Sequence, residues 1–130
     1  AAIMSEVMIT GNQLKYKDYE NTFDNIEPKN VEVSTGMGFI NSAVIDQHFV
    51  VRSRYNRLLS LIIENPTYQG IGIDEGTAIL VKNHNEAEVV GRAQVIVFKN
   101  PRRSQKLKSQ KLGAQGITLD IYLNGEKFKF

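Results

Sequence analysis

Two segments decide the fold of this chain: Ile45-Asp46-Gln47-His48-Phe49 and Gly70-Ile71-Gly72-Ile73-Asp74-Glu75-Gly76-Thr77-Ala78. The first is a short apolar run that leads into a histidine, and the second leads into two carboxylates. A histidine flanked by apolar residues on an extended segment needs a hydrogen-bond partner. A carboxylate at the end of another strand can supply it, which is the base-and-orienter half of a nucleophilic site. The nucleophile itself has to be found elsewhere.

Three arginines follow the histidine at short intervals, at Arg52, Arg54 and Arg57. Guanidinium groups bind carboxylates through two parallel hydrogen bonds, so three of them beside a candidate base favour an anion-binding cleft. Arg54 and Arg57 are three residues apart and would share one side of a helix. The alternative that the sequence leaves open is a solvated helix face.

The composition is that of a globular domain. The chain has 130 residues, of which 42% are hydrophobic and 23% charged, enough for one domain with a core. It contains no cysteine, which excludes disulfides, thiolate zinc sites and cysteine nucleophiles and fits a reducing compartment. No apolar run approaches the roughly 20 residues of a membrane span. We therefore predict a cytoplasmic location and no membrane partner.

The net charge of +2 hides one local basic run. Outside this run the chain carries a net charge of −4, so its basicity comes from one segment. The run contains no interleaved aromatic residue and no nucleic-acid motif, so a solvated loop is favoured over a nucleic-acid partner. Its six basic residues are Lys99, Arg102, Arg103, Lys106, Lys108 and Lys111.

Hydrophobic periodicity and turn residues give the coarse order of elements. Helices are predicted at residues 1–9 and 54–64, and strands at 43–46, 71–74, 77–82 and 87–98, with a turn at 83–85. Residues 13–29 are predicted to be an irregular or partly helical insertion. Its aromatic residues either line a site or pin a surface loop: Tyr16, Tyr19 and Phe23.

The C-terminal third is predicted to consist of a loop and a hairpin. Residues 101–116 are basic and polar, which is typical of a loop. Apolar residues alternate from Ile117 to Leu123, before Asn124-Gly125, and Phe128 and Phe130 continue the alternation beyond it. This pattern predicts a hairpin with a two-residue turn. Together with the earlier elements it favours an α/β layer arrangement with antiparallel strands at one sheet edge.

Several of these motifs together resemble the cyanophycinases, serine peptidases of the family that also includes aspartyl dipeptidases. The resemblance covers most of the chain from Gly36 onward. It implies a three-layer α/β/α fold, with a mixed, mostly parallel sheet and an antiparallel edge hairpin. The motifs are residues 45–49, the spaced arginines with Leu58-Leu59, residues 70–78, Val90-Gly91, Val95-Ile96-Val97 and Gly125-Glu126-Lys127-Phe128.

The resemblance also implies roles for individual residues. His48 corresponds to the general base, and Glu75 to the acid that orients it, with Asp74 as the alternative. The substrate of the family, cyanophycin, is a poly-aspartate backbone with arginine on each side chain, and the implied product is a β-aspartyl-arginine dipeptide. Asp46, or a nearby acid, would receive the substrate's arginine. The positions that resemble the substrate cleft are Asp46, Gln47, Arg52, Arg54 and Arg57.

The nucleophile of the family is a serine in a Gly-Thr-Ser-Ala-Gly elbow that leads straight into a helix. Residues 1–5, Ala-Ala-Ile-Met-Ser, resemble that helix, so the catalytic serine is expected just before residue 1. Residues 1–130 are then expected to be the C-terminal part of a single peptidase domain, inactive alone. Ser5 is no substitute, because a serine inside a helix lacks the sharp turn that exposes a nucleophile.

The remaining expectations concern partners and the rival function. The expected partners are a peptide polymer, a second copy in a homodimer, and the N-terminal part of the domain if that is a separate chain. We expect no cofactor, no metal and no nucleic acid. The alternative function is a non-catalytic module that binds acidic or isoaspartyl peptides in the arginine-lined cleft.

Overall fold

Strands dominate the regular structure of the computed structural model, which describes residues 1–18 and 22–130. A 3-10 helix at Ala2–Met4 precedes the first strand. The single α-helix of the described residues is α1, Tyr55–Glu64. The strands are β1 Val7–Gln13, β2 Val31–Thr35, β3 Ala43–Gln47, β4 Gln69–Ile73, β5 Thr77–Lys82, β6 Glu86–Gly91, β7 Val95–Lys99, β8 Lys106–Lys108, β9 Lys111–Gly113, β10 Thr118–Tyr122 and β11 Lys127–Lys129.

The central sheet has four strands in the order β10-β7-β4-β3. β3 and β4 are parallel, in a register that runs from Ala43 opposite Gln69 to Gln47 opposite Ile73. Parallel neighbours need a crossover connection, and α1 lies in the one that joins them. The two strands therefore end side by side at one edge of the sheet.

Alternate residues of β3 and β4 point into two separate cores. On one face, Ile45 and Ile71 pack with the apolar side of a second sheet, β11-β6-β5. On the other face, Val44 packs with Leu58 of α1 and with Phe49. Because both faces are covered, these strands are apolar on both sides, as buried parallel strands are.

Two glycines of β4 let large side chains lie directly on the sheet. A Cβ atom on Gly70 would come within 2.9 Å of Leu58 Cγ, and one on Gly72 would overlap the ring of Phe49. The Phe49 ring is fully buried and contacts Tyr55 edge-on, with the ring centroids 4.8 Å apart. The two glycines thus form a flat face on which Leu58 and Phe49 pack, and Ile71 and Ile73 form the aliphatic face on the other side of the strand.

The N-terminal helix expected at residues 1–9 is wrong. Only Ala2–Met4 form a helical turn, and Val7–Gln13 form β1, which pairs antiparallel with β2. Ile9 and Gln13 of β1 are buried, with exposed residues between them. The alternation and the pairing with β2 outweigh the helix propensity of the alanines and methionines at the start of the chain.

Two further expectations about the C-terminal strands are wrong. Residues 87–98 are not one strand, because the chain breaks after Gly91 (φ 133°) and its halves, β6 and β7, join different sheets. The turn at Asn124-Gly125 is present, but it does not close a hairpin. β10 pairs with β7 and β11 pairs with β6, so the two strands diverge into separate sheets.

Of the remaining predicted elements, some are confirmed and others are wrong in part. The predicted β3, α1, β4, β5 and the turn at residues 83–85 are confirmed. The expected loop at residues 101–116 is wrong in part, because it contains the short hairpin β8–β9. The fold is mixed α/β, with parallel and antiparallel pairs. Of the three pairings in the central sheet only β3–β4 is parallel, so the described residues do not form a mostly parallel sheet.

Two expectations about the larger domain remain predictions. The three-layer arrangement is one of them, and the placement of residues 1–130 in the C-terminal part of a domain is the other. Among the described residues, no helix is long and apolar enough to cross a membrane.

The packing of Phe49 on β4 predicts that Gly72→Ala is strongly destabilising. The new methyl group would overlap a fully buried ring, and overpacking of this kind costs about 1–3 kcal/mol. Urea unfolding should show this loss, whereas Gly113→Ala should be close to neutral, because its Cβ would lie 3.8 Å from the nearest atom, Lys106 Cβ. Equal unfolding midpoints for the two variants would contradict the packing argument.

Candidate active site

His48 and Glu75 meet at the edge where β3 and β4 end. His48 follows β3 directly, and Glu75 lies two residues beyond β4. His48 Nδ1 is 3.0 Å from Glu75 Oε1. The side chains are 40% and 42% exposed, so solvent and a ligand can reach the pair. The contact expected from the sequence is present, and the catalytic role of the two residues stays a prediction.

The backbone around His48 is held in an unusual conformation. His48 has φ 51°, in the left-handed region that residues other than glycine seldom adopt. Its carbonyl accepts a hydrogen bond from Arg52 N at 3.2 Å, and Phe49 N donates to Ile73 O at 3.3 Å. These bonds fold the chain back on itself after β3. The strained residue is thus fixed by its neighbours, as is common at functional sites.

Asp74, the alternative orienting acid, has a different partner. Its Oδ1 accepts a hydrogen bond from Val51 N at 3.0 Å, which ties the turn after His48 to the end of β4. Asp74 therefore binds the main chain of the turn after β3, and Glu75 binds the imidazole of the same turn. Of the two carboxylates, Glu75 is the one in contact with His48.

Asp46 and Arg57 form an ion pair in the interior. Arg57 Nε donates to Asp46 Oδ2 at 2.7 Å, and Arg57 Nη2 donates to Asp46 Oδ1 at 2.5 Å. Asp46 is 1% exposed and Arg57 4%. Asp46 Oδ1 also accepts a hydrogen bond from Gln47 N at 2.8 Å. The pair ties the end of β3 to the first turns of α1 through a bidentate, charge-assisted contact.

The three arginines surround a small polar cavity of about 190 Å³, which we call the arginine cavity. Arg52 is exposed, Arg54 is half-buried, and Arg57 is buried. Arg57 Nη1 has no hydrogen-bond partner among the described residues, although it is shielded from solvent. Four other described residues line the cavity: Thr22, Phe23, Ser53 and Asn56.

Arg54 links the cavity to the end of β3. Its Nη1 donates to Gln47 O at 2.7 Å and lies 3.8 Å from Asp46 Oδ1. Burial lowers the pKa of the Arg54 guanidinium, and the nearby Arg57 lowers it further, whereas Asp46 raises it. One buried carboxylate thus lies close to two guanidinium groups, and the described residues around the cavity carry a net positive charge.

Gln47, the last predicted cleft residue, is half-buried at the end of β3. Its Oε1 accepts a hydrogen bond from the amino group of Ala1 at 3.1 Å. The structure therefore brings the predicted residues together in two groups. His48 and Glu75 form one group, and the arginines with Asp46 form the other, with Gln47 between them in sequence.

Ser5 is not placed to act as a nucleophile. It is fully buried, and its Oγ donates to Ala2 O at 3.2 Å and accepts from Ile45 N at 3.1 Å. No serine or threonine hydroxyl of residues 1–18 or 22–130 is hydrogen-bonded to the imidazole of His48. Within the same ranges, no group of three or more His, Asp or Glu side chains is arranged to hold a metal ion.

Phe23 and Asn56 are cavity residues that the sequence did not single out as binding residues. Asn56 Nδ2 donates to Phe23 O at 2.7 Å, and the guanidinium carbon of Arg57 lies 6.0 Å from the centroid of the Phe23 ring. The only feature of the sequence that pointed to Phe23 was the presence of aromatic residues in the insertion. Another of them, Tyr16, lines a separate small cavity. Tyr19, the third aromatic residue of the insertion, lies outside the described residues.

Comparisons with known proteins point to one family. The model of Peptidase family S51 matches residues 7–89. The cyanophycinase of Trichormus variabilis is 32% identical over 104 residues, which cover 75% of this chain and 35% of that protein. The cyanophycinase of Geminocystis herdmanii is 39% identical over 67 residues, 52% of this chain and 25% of that protein. The chain thus spans about a third or less of the relatives it matches.

The buried ion pair predicts that Asp46→Ala lowers stability much more than the loss of an exposed arginine. Removing the carboxylate leaves the buried Arg57 charge without compensation, which costs about 3–5 kcal/mol of unfolding free energy. Arg52→Ala removes an exposed side chain and should stay within about 0.5 kcal/mol of the wild type. Urea unfolding monitored by circular dichroism checks both values. An Asp46→Ala effect as small as that of Arg52→Ala would contradict the argument.

Proposed function

This chain belongs to peptidase family S51, and we propose that it contributes the general base and an anion-binding cavity to a serine-type peptidase that degrades cyanophycin. The observation that carries the proposal is the contact between His48 Nδ1 and Glu75 Oε1 at 3.0 Å, in a pair that solvent can reach. In catalytic triads, the imidazole that takes a proton from the nucleophile is hydrogen-bonded to a carboxylate through its other nitrogen.

Each partner has one step in the proposed reaction. With the Nδ1 proton donated to Glu75, the Nε2 lone pair of His48 is free to accept the proton of a serine hydroxyl as the hydroxyl attacks the scissile carbonyl. The same proton then passes from Nε2 to the leaving amine. Glu75 fixes the tautomer and stabilises the imidazolium that forms in between. The serine is a prediction from the family resemblance.

The arginine cavity is the proposed binding site for a carboxylate of the substrate. Its guanidinium groups carry more positive charge than Asp46 neutralises, and Arg57 Nη1 has a proton without an acceptor among the described residues. In cyanophycin the aspartyl α-carboxylates are in the backbone peptide bonds, whereas each attached arginine keeps a free α-carboxylate. A released β-aspartyl-arginine dipeptide would therefore present the group that this cavity fits.

Asp46 has a supporting part in this proposal. Both of its oxygens are bonded to Arg57, and its side chain is enclosed. It therefore holds a guanidinium in place, rather than receiving the arginine of the substrate. Gln47 and Arg52 remain proposed cleft residues, Arg52 because it is the exposed guanidinium at the cavity.

The non-catalytic alternative is not favoured. A module that only binds acidic peptides would need the arginine cavity and nothing else. It would not need an accessible imidazole that is hydrogen-bonded to a carboxylate, which this chain has. Both curated relatives named above are called cyanophycinases. Two partners also remain predictions: a second copy of the chain and a separate N-terminal part.

The proposal predicts that Glu75→Gln sharply reduces kcat. In a protein that contains these residues together with the nucleophilic serine, the neutral amide no longer stabilises the imidazolium. Release of β-aspartyl-arginine from cyanophycin should then fall by about 10²- to 10⁴-fold, with little change in KM. Glu6→Gln, the same change at an exposed residue outside the site, should retain the wild-type rate. A Glu75→Gln variant with wild-type kcat would refute the assignment.

A further inference from the structure

Residues 22–29, which we call the strap, are fastened along one side of α1. Asn56 Nδ2 donates to Phe23 O at 2.7 Å, Ser60 Oγ accepts from Glu27 N at 3.2 Å, and the Glu64 carboxylate accepts from Lys29 N at 3.1 Å. The three helix residues are spaced four apart and so lie on one side of the helix. A polar stripe that would otherwise face solvent thus binds the strap along its length.

The middle of the strap is fixed by a second set of contacts. Glu27 is 2% exposed, and its carboxylate accepts hydrogen bonds from Tyr16 Oη at 3.2 Å and from Asn30 Nδ2 at 3.1 Å. Lys15 Nζ lies 3.7 Å from the same carboxylate. A buried acid with these partners anchors the segment in one position, as enclosed polar networks do.

The N-terminal end of the strap covers Arg57. The guanidinium carbon lies 6.0 Å from the centroid of the Phe23 ring, which is within the range of a cation–π contact. Two of the guanidinium nitrogens bind Asp46, and the third, Nη1, is buried and has no partner in the described ranges. Arg57 is one of the residues that line the arginine cavity. Because buried donors are almost always satisfied, its unpaired Nη1 points to an acceptor that the described residues do not supply.

The size and charge of the arginine cavity restrict what that ligand group is. The cavity measures about 190 Å³, less than the roughly 300–1,000 Å³ of sites that enclose a whole small molecule. Among the residues that the structure describes, its charged lining residues are the three arginines, with no acid beside them. A single planar carboxylate suits both limits, since guanidinium groups bind it in a bidentate manner.

We propose that the strap is a wall of the arginine cavity and that Phe23 is a positioning residue, which directs Arg57 Nη1 toward a bound carboxylate. The inference rests on the proposed function, because it takes the cavity to be the carboxylate site of the substrate. It adds that the ring of Phe23 orients the guanidinium, so that the selectivity for a carboxylate depends on an aromatic side chain at this position.

The test compares Phe23→Leu, which keeps an apolar side chain, with Phe23→Tyr, which keeps the ring. For each protein, NMR titration gives the affinity for β-aspartyl-arginine and for the same dipeptide with both α-carboxylates amidated, and free acetate is titrated as a third probe. We expect Phe23→Leu to lose about three- to tenfold of the preference for carboxylate over amide. Phe23→Tyr should stay within twofold of the wild type.

A ligand-free readout and a second variant guard against a folding effect. The Arg57 Nε–H resonance should shift in Phe23→Leu and keep its position in Phe23→Tyr, because only the ring contributes a ring-current shift. Ser60→Ala removes the acceptor for Glu27 N and lies outside the cavity. It should weaken the preference for carboxylate in the same direction.

The outcomes separate the two proposals. If the wild type prefers the carboxylate and Phe23→Leu keeps that preference in full, the role of the strap is overturned and the arginine cavity survives. If the wild type binds the dipeptide no better than its amidated form and does not bind acetate, the cavity is not a carboxylate site. The roles of the cavity and of the strap then both fail, and the assignment of His48 and Glu75 is unaffected. If acetate binds but the dipeptide binds no better than its amidated form, the assignment of the cavity to an aspartyl substrate is overturned.

Discussion

The parallel pairing of β3 with β4 is the constraint on which the rest of the structure depends. Because Gln47 lies opposite Ile73, the chain leaves both strands at the same edge, and the next residues on each side are His48 and Asp74-Glu75. The crossover between the strands contains α1, which lies on the face that Gly70 leaves open. A single pairing register thus fixes the helix, the turn after β3 and the contact between imidazole and carboxylate.

Electrostatics organises the other half of the site. A chain turn and the start of a helix bring three guanidinium groups together, and one buried carboxylate neutralises part of their charge. The bidentate contact between Asp46 and Arg57 offsets the cost of burying the two charges, although Arg57 Nη1 remains without a partner among the described residues. The surplus charge faces the arginine cavity, where the pKa of Arg54 is lowered mainly by burial. In the proposed function, this surplus charge binds a carboxylate of the substrate.

The sequence predicted the parts of the fold that local patterns determine. The apolar run of β3, the amphipathic α1 and the apolar β4 follow one another with clear stop signals. The sequence also predicted that His48 would meet an acid at the end of the next strand, whereas the choice of Glu75 over Asp74 came from the family resemblance. The sequence could not reveal that Asp46 would pair with Arg57 in the interior, because spacing alone does not tell a buried charge from one that lines a cleft.

The errors share a physical cause, which is strand pairing between distant segments. β1 is a strand because β2 pairs with it from beyond the insertion, and this outweighs helix formers at the start of the chain. β10 and β11 flank a turn that is typical of a hairpin. However, β10 pairs with β7 and β11 pairs with β6, so the two strands join different sheets. Local residues determine where a strand forms, but its partner depends on packing across the whole domain.

The tautomer of His48 tests the central claim most directly. In ¹⁵N-edited NMR spectra recorded at a pH where imidazoles are neutral, the account predicts that the proton of His48 resides on Nδ1, facing Glu75. In Glu75→Ala the proton should move largely to Nε2, as in free histidine. A wild-type spectrum with the proton on Nε2 would contradict the account, because the nitrogen that has to accept a proton from the nucleophile would already carry one.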